Sequence, residues 1–122
     1  MAFDGSCGSS LFLCGHLSVV IFELGNSPEE VVLVNLTTKR ANSDITVVLQ
    51  PGDHKFVKHE TVISYSDTRI VSKSDLVRRV EDKYFEQRDD FSEDILRIIQ
   101  QGLLSSPFTP NYIKEQCQEL MD

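Results

Sequence analysis

Three histidines and one short run of hydroxyl and amide side chains hold most of the reactive chemistry in this 122-residue chain. His16 opens an apolar run, His54 follows Pro51-Gly52-Asp53, and His59 precedes Glu60-Thr61. Histidine is the side chain best poised to move a proton near neutral pH, so two of them can divide the work of general base and general acid. His16 with His59, or His54 with His59, fits that division. The plainer alternative is that strand-end histidines bond to the backbone. Asn35, Thr37 and Thr38 end a second apolar run, and on a strand Asn35 and Thr37 share a face. They can donate hydrogen bonds to a phosphate or a developing oxyanion, although threonine is also a good strand residue with no further duty. Lys39, Arg40, Lys55 and Lys58 are the nearest basic residues, either a local phosphate-binding patch or solvated flanks of strand ends.

A metal centre is not expected. His54 and His59 are five residues apart and so face opposite sides of a straight strand, and Cys14 near His16 has no dense ligand group to join. Cys7, Cys14 and Cys117 make an odd number with no C-x-x-C pair. That suits reduced thiols better than a disulfide framework. No P-loop, dinucleotide-binding glycine motif or carboxylate-rich metal motif is present, so no cofactor is expected.

The elements that must position these residues are short strands. His16 to Leu24 alternates so that Leu17, Val19 and Ile21 lie on one face and Val20 and Phe22 on the other. Gly25, Asn26 and Pro28 mark a turn. Val31 to Thr38 reads as the second strand, Ile45 to Leu49 as the third, ended by Pro51-Gly52, and Lys55–Val57, Glu60–Tyr65 and Arg69–Val71 as further extended pieces. Tight spacing without a crossover helix predicts a small antiparallel barrel or half-open roll. After Val71 the period becomes helical. Ser74 is the expected N-cap of a first helix carrying Leu76, Val77 and Val80, and Ser92 that of a second. Phe91 is spaced to pack on Leu96 as a hydrophobic staple, Pro110 to occupy the first position of a third helix, and Phe108 to staple onto Ile113. The expected architecture is α+β in a single domain, 1–122, with a β-barrel core at 16–72 and a helical extension at 74–121. Residues 1–10, small and Gly/Ser-rich, read as a loose leader or part of a cloning tail.

Composition narrows the function. Hydrophobic residues at 40% and charged ones at 25% are those of an ordinary globular domain. A net charge of −7 and the absence of tryptophan weigh against a broad basic or aromatic nucleic-acid platform. The apolar stretch Leu11 to Ile21 is broken by Gly15, His16 and Ser18 and lacks a preceding Lys or Arg. It is therefore read neither as a signal nor as a membrane span, and a soluble, cytoplasmic protein with no membrane partner is expected.

The strand VVIFEL, an acidic turn, and a strand ending Asn35-Leu36-Thr37-Thr38 together resemble the core of the PemK/MazF-like toxins, over roughly residues 15–72. Thr37-Thr38 stands where that family has a Thr-Ser pair, and His16-Leu17 where it has an Arg-Pro-type pair. PGDHKFVKHETVISY is similar to a run in small bacterial proteins of the same broad kind. The resemblance implies an SH3-like β-barrel, metal-independent endoribonuclease activity on RNA, a protein antitoxin as partner and a homodimer. It would make His16, Thr37, His54 and His59 catalytic and Asn35, Thr38, Lys39 and Arg40 substrate-binding. A histidine in place of the family's arginine leaves a second reading open, a non-catalytic SH3-like protein-interaction module. A metal-binding regulatory domain is a third.

Overall fold

Dense β-branched runs become the two central strands, because branched side chains pack well on a pleated surface covered on both faces. The computed structural model describes residues 3–121. The strands are β1 (Ser10–Leu13), β2 (His16–Glu23), β3 (Glu30–Thr38), β4 (Val48–Leu49), β5 (Thr61–Ser72) and β6 (Glu86–Arg88). They form one sheet in the order β4-β5-β3-β2-β1-β6, every neighbouring pair antiparallel. The sheet curls into a half-barrel accompanied by three helices, α1 (Lys73–Glu81), α2 (Glu93–Ser105) and α3 (Asn111–Gln118).

The curl has local causes. Ile21 is an extra residue in the β2–β3 ladder, between the pairs Val20↔Leu33 and Phe22↔Val32. Such a bulge bends the strand and raises its twist. It also resets the alternation, so Phe22 joins Leu17, Val19 and Ile21 in one apolar cluster instead of facing away. β5 buckles more sharply: Ser64 pairs with Asn35 and Arg69 with Leu33, so residues 65–68 have only Val34 opposite. Thr68 Oγ1 donates to the Tyr65 carbonyl at 2.6 Å and Ser64 Oγ to Asp67 Oδ2 at 2.7 Å, satisfying groups that the ladder leaves out. The two expected pieces, Glu60–Tyr65 and Arg69–Val71, are thus one bent strand.

Two strands arise where the sequence pattern carries no signal. Part of the expected leader is built into the fold: Phe3 is buried, Ser10–Leu13 pairs with β2, and Leu11 is fully buried. Met1 and Ala2 of that stretch, and Asp122 at the other end, lie outside the described residues. The β1–β2 hairpin turns through Cys14 and Gly15, both at positive φ (50° and 82°), which is the two-residue geometry that matches sheet twist. β6, only Glu-Gln-Arg, pairs with β1. The sheet therefore extends beyond residues 16–72 at both ends. Conversely, the expected third strand shrinks to Val48–Leu49, Ile45 being 66% exposed, and Lys55–Val57 is a turn.

The two faces bury separate cores. On one, Leu17, Val34, Leu36 and Tyr65 meet Ile99 and Leu103 of α2 and Ile113 and Cys117 of α3. On the other, Leu11, Leu13, Val20 and Leu33 meet Phe3 and Leu76 of α1. Each fully buried aliphatic side chain contributes about 2 kcal/mol through the hydrophobic effect. The helix starts follow capping chemistry. Ser92 accepts from the Ile95 N–H as expected, and buried Phe91 packs at the same end. For α1 the cap is Ser72, not Ser74, because β5 runs directly into the helix and Ser72 Oγ accepts from Asp75 N–H. Pro110 is itself the N-cap of α3, and Phe108 is 58% exposed, so the expected Phe108–Ile113 staple does not form.

α2 approaches β5 closely at Gly102. A Cβ there would fall on the Tyr65 hydroxyl and 2.5 Å from Val47 Cγ2, while Tyr65 is fixed by its own bond to the Ile99 carbonyl at 2.7 Å. Gly102→Ala gains about 1 kcal/mol of helix propensity but overpacks a rigid contact that costs about 1–3 kcal/mol or more. Chemical denaturation should show the variant to be the less stable protein. A variant as stable as the wild type would show that α2 can shift off the sheet.

Candidate functional site

The open end of the half-barrel carries a pocket of about 250 Å³ bordered by His16, Thr37, Thr38 and His59, with Leu17, Leu36 and Phe56 among its apolar walls. Its geometry follows from three strand ends. His16 is the first residue of β2 and lies next to the Cys14-Gly15 turn, Thr37 and Thr38 are the last two of β3, and His59 sits two residues before β5. The pairs Thr37↔Val62 and Thr38↔Thr61 hold the last two strands together. Thr61 Oγ1 donates to the His59 carbonyl at 2.9 Å, and Lys39 N–H donates to the Glu60 carbonyl at 3.1 Å. That frame places His59 Nε2 2.8 Å from Thr38 Oγ1. His16 and His59 are both solvent-exposed.

The pocket continues into a shallower depression bordered by Thr38, Lys39, Arg40, His59 and Glu60. Lys39 Nζ is 3.7 Å from Glu60 Oε1, a loose exposed pair, and Arg40 makes no ion pair among the described residues. Lys55 instead pairs with Asp89 at 3.2 Å on the outside of the fold, and Lys58 is exposed on the loop that precedes His59. Of the expected basic group, Lys39 and Arg40 adjoin the pocket.

Two residues named from sequence have other surroundings. Asn35 alternates with Leu36 and so faces the other side of the sheet. Its Oδ1 accepts from Ser18 Oγ at 2.7 Å, and it does not border the pocket. Thr37 shares that face and also borders a second depression beside Asp44 and Phe108. His54 is 6% exposed, with both ring nitrogens committed. The Phe56 N–H donates to Nδ1 at 3.0 Å, so the ring hydrogen is on Nε2, which donates to the Asp89 carbonyl at 2.5 Å. The ring also stacks on Phe91 at 4.3 Å between centroids. A histidine so placed has no free lone pair for proton transfer. It works as a latch between the segment after β4 and the segment after β6.

That latch belongs to a larger clasp which sequence reasoning missed. Phe12 of β1 and Phe56 lie 5.3 Å apart, and the Arg88 guanidinium of β6 sits 5.7 Å and 5.2 Å from the two rings. Arg88 also pairs with Glu86 at 2.8 Å. Phe56 borders the pocket, so the clasp fixes one of its walls. The His54 spacing after Pro-Gly-Asp was visible in sequence; its distant partners were not.

Two of the three thiols, Cys7 and Cys117, are poorly suited to act as nucleophiles. Burial pushes the Cys117 thiol up to about 11, and burial with the Glu23 carboxylate does the same for Cys7. A thiol so shifted is protonated and inert at neutral pH. No group of three or more His, Cys, Asp or Glu side chains among the described residues is arranged to hold a metal ion. No helix among them is long and apolar enough to cross a membrane.

Replacing the latch tests its role directly. His54→Ala removes a buried ring that stacks on Phe91 and leaves the Phe56 N–H without its acceptor, while the Asp89 carbonyl keeps its bond from Ser10 Oγ. The lost packing and the one lost partner cost about 1–3 kcal/mol, and the urea midpoint should fall by an equivalent amount. A change below about 0.5 kcal/mol, the usual range of surface substitutions, would show that the two ends of the sheet do not depend on it. No protein-family model matches the chain, and no match was found among curated proteins or solved structures.

Proposed function

We propose that this chain is a metal-independent endoribonuclease of the PemK/MazF-like kind, its half-barrel a version of the SH3-like barrel. The observation that carries the proposal is the juxtaposition of His16, Thr37, Thr38 and His59 around one pocket that opens toward Lys39 and Arg40. Cleavage of RNA without a metal needs a base, an acid and donors for the charged phosphate within one nucleotide's reach. In the reading we favour, one of the two exposed histidines takes the proton of a 2′-hydroxyl. The 2′-oxygen then bonds to phosphorus, the bond to the 5′-oxygen breaks, and the other histidine protonates that leaving oxygen. The products are a 2′,3′-cyclic phosphate and a free 5′-hydroxyl. The threonine hydroxyls are the donors to the non-bridging oxygens, and Lys39 and Arg40 attract the backbone despite the net charge of −7. His54, expected from sequence to share the catalysis, has no part in this scheme because its ring is spent on the latch.

A non-catalytic interaction module is the second reading. It is favoured by exposed apolar side chains on the helical side, where Ile98, Phe108, Tyr112 and Leu120 all face solvent. An antitoxin or a second copy of the chain is the partner each reading implies, the first by resemblance and the second by that surface.

The test is cleavage of a single-stranded RNA oligonucleotide by purified protein in the presence of a chelator, with the product ends identified. His16→Ala and His59→Ala should each lower the rate by about 10²-fold or more, the usual worth of a general acid or base. Both side chains are exposed, so stability should change little. Induced expression should also arrest growth, and the same two variants should relieve the arrest. Wild-type rates in both variants, or no cleavage and no arrest by the wild type, would leave the interaction module standing.

A further inference from the structure

The second face of the sheet carries an independent pocket that the ribonuclease reading does not use. It lies between the sheet and α1, has a volume of about 300 Å³, and is floored by the edges of Leu13, Leu33 and Leu76 with Phe85 at its side. Two arginines, Arg69 from β5 and Arg79 from α1, stand at it. Neither makes an ion pair with a carboxylate among the described residues. Arg69 has only a long contact, 3.5 Å, to Asn35 Oδ1, and Arg79 lies over the Phe85 ring at 6.0 Å. In a chain with 19 acidic and 12 basic residues, carboxylate partners for arginine are plentiful. The one carboxylate at this pocket, Asp75, is already bonded to Arg78 at 2.6 Å.

We infer that this pocket binds a small organic acid, a single carboxylate on an apolar chain or ring. An apolar floor with a few convergent polar groups is the usual make-up of a ligand site, and this volume lies at the small end of the range. A guanidinium matches a carboxylate in shape and forms paired charge-assisted hydrogen bonds with it, so two arginines fix the head group while the leucines take the tail. The charge of Asp75 selects a monoanion over a dianion such as a phosphate monoester.

Octanoate is a suitable probe, with octanol and octyl phosphate as matched ligands lacking the charge or doubling it. Titration into the full chain, followed by methyl NMR, should shift the resonances of Leu13, Leu33 and Leu76. Octanol should bind at least about tenfold more weakly, as the loss of one charge-assisted hydrogen bond implies. Octyl phosphate should also bind more weakly than octanoate, through repulsion of its second charge by Asp75. Arg69→Met and Arg79→Met, both at exposed positions, should each weaken octanoate by a similar factor without moving the thermal midpoint. His59→Ala should bind octanoate like the wild type, which separates this pocket from the proposed ribonuclease site. Equal binding of octanoate and octanol, unaltered binding by the arginine variants, or no shift up to roughly 10 mM octanoate, where affinity is negligible, would overturn the inference.

Discussion

A six-stranded sheet with an unpaired strand at each edge stays open unless something draws its edges together, and here His54 does so. β4 and β6 are the outermost strands, separated by four others, and they share no ladder. The segment that follows β4 nevertheless reaches the segment that follows β6. His54 donates across to the Asp89 carbonyl, Ser10 Oγ donates to the same carbonyl, and Lys55 pairs with the Asp89 carboxylate. Closure thus costs no further strand and relies on oriented side-chain bonds, of which the two partly buried ones to the Asp89 carbonyl carry more weight than the exposed Lys55 pair. Phe91, stacked on His54, also starts α2, so the latch sets where the helices attach.

Charge pairing on the other side of the molecule is weaker and conditional. Lys73 Nζ lies 2.6 Å from Glu23 Oε1 and ties α1 to the end of β2. Its hydrogen bond holds the Glu23 carboxyl below the ordinary carboxylate range, and the same bond raises Lys73 above the ordinary lysine value. The glutamate's contribution is present above its unfolded value and is lost as pH falls through the lowered one. The lysine's is present below its unfolded value and is lost as pH rises through the raised one. The pair therefore acts across the neutral range, and solvent screening of these partly exposed groups limits it to about 1 kcal/mol or less. The apolar cluster of Leu11, Leu33 and Leu76 carries more of that face.

What could be read from the sequence divides along physical lines. β2 and β3 were legible because buried strands need uninterrupted Val, Ile and Leu, and the Ser92 cap because its hydroxyl acts on an N–H three residues away. β1 and β6 were not. Ser10–Leu13 is too short to show a period, Glu86–Arg88 has no apolar residue at all, and both exist because a neighbour offers a free edge. The facing of Phe22 and the place of Ser72 depended on a bulge and on a strand running straight into a helix, neither of which a fixed period foresees. His16, Thr37, Thr38 and His59 were legible as a group because all stand at strand ends, which a curled sheet gathers at one rim. Asn35 shares a face with Thr37 but lies two residues further from the rim, where it bonds to Ser18 instead. His54 failed because the same ring chemistry that suits catalysis also suits a buried latch, and the deciding partner lies 35 residues away.

The latch and the pocket are one construction. Only eleven residues, 50–60, separate β4 from β5, and a free loop of that length would sweep His59 through many positions. Three restraints remove that freedom. The Gln50–Asp53 turn closes at 3.0 Å with Gly52 at φ 100°, a conformation other residues resist. His54 and Phe56 anchor the middle to β1 and β6. Val57 is buried in the first core and donates its N–H to the His54 carbonyl at 2.9 Å. The chain then has three residues left, 58–60, before Thr61 joins the ladder, and His59 lands beside Thr38. An exposed imidazole delivered by so constrained a loop loses little further entropy on meeting a substrate, which is the condition for an effective acid or base. The clasp that closes the half-barrel is, by the same contacts, what orders the loop bearing His59.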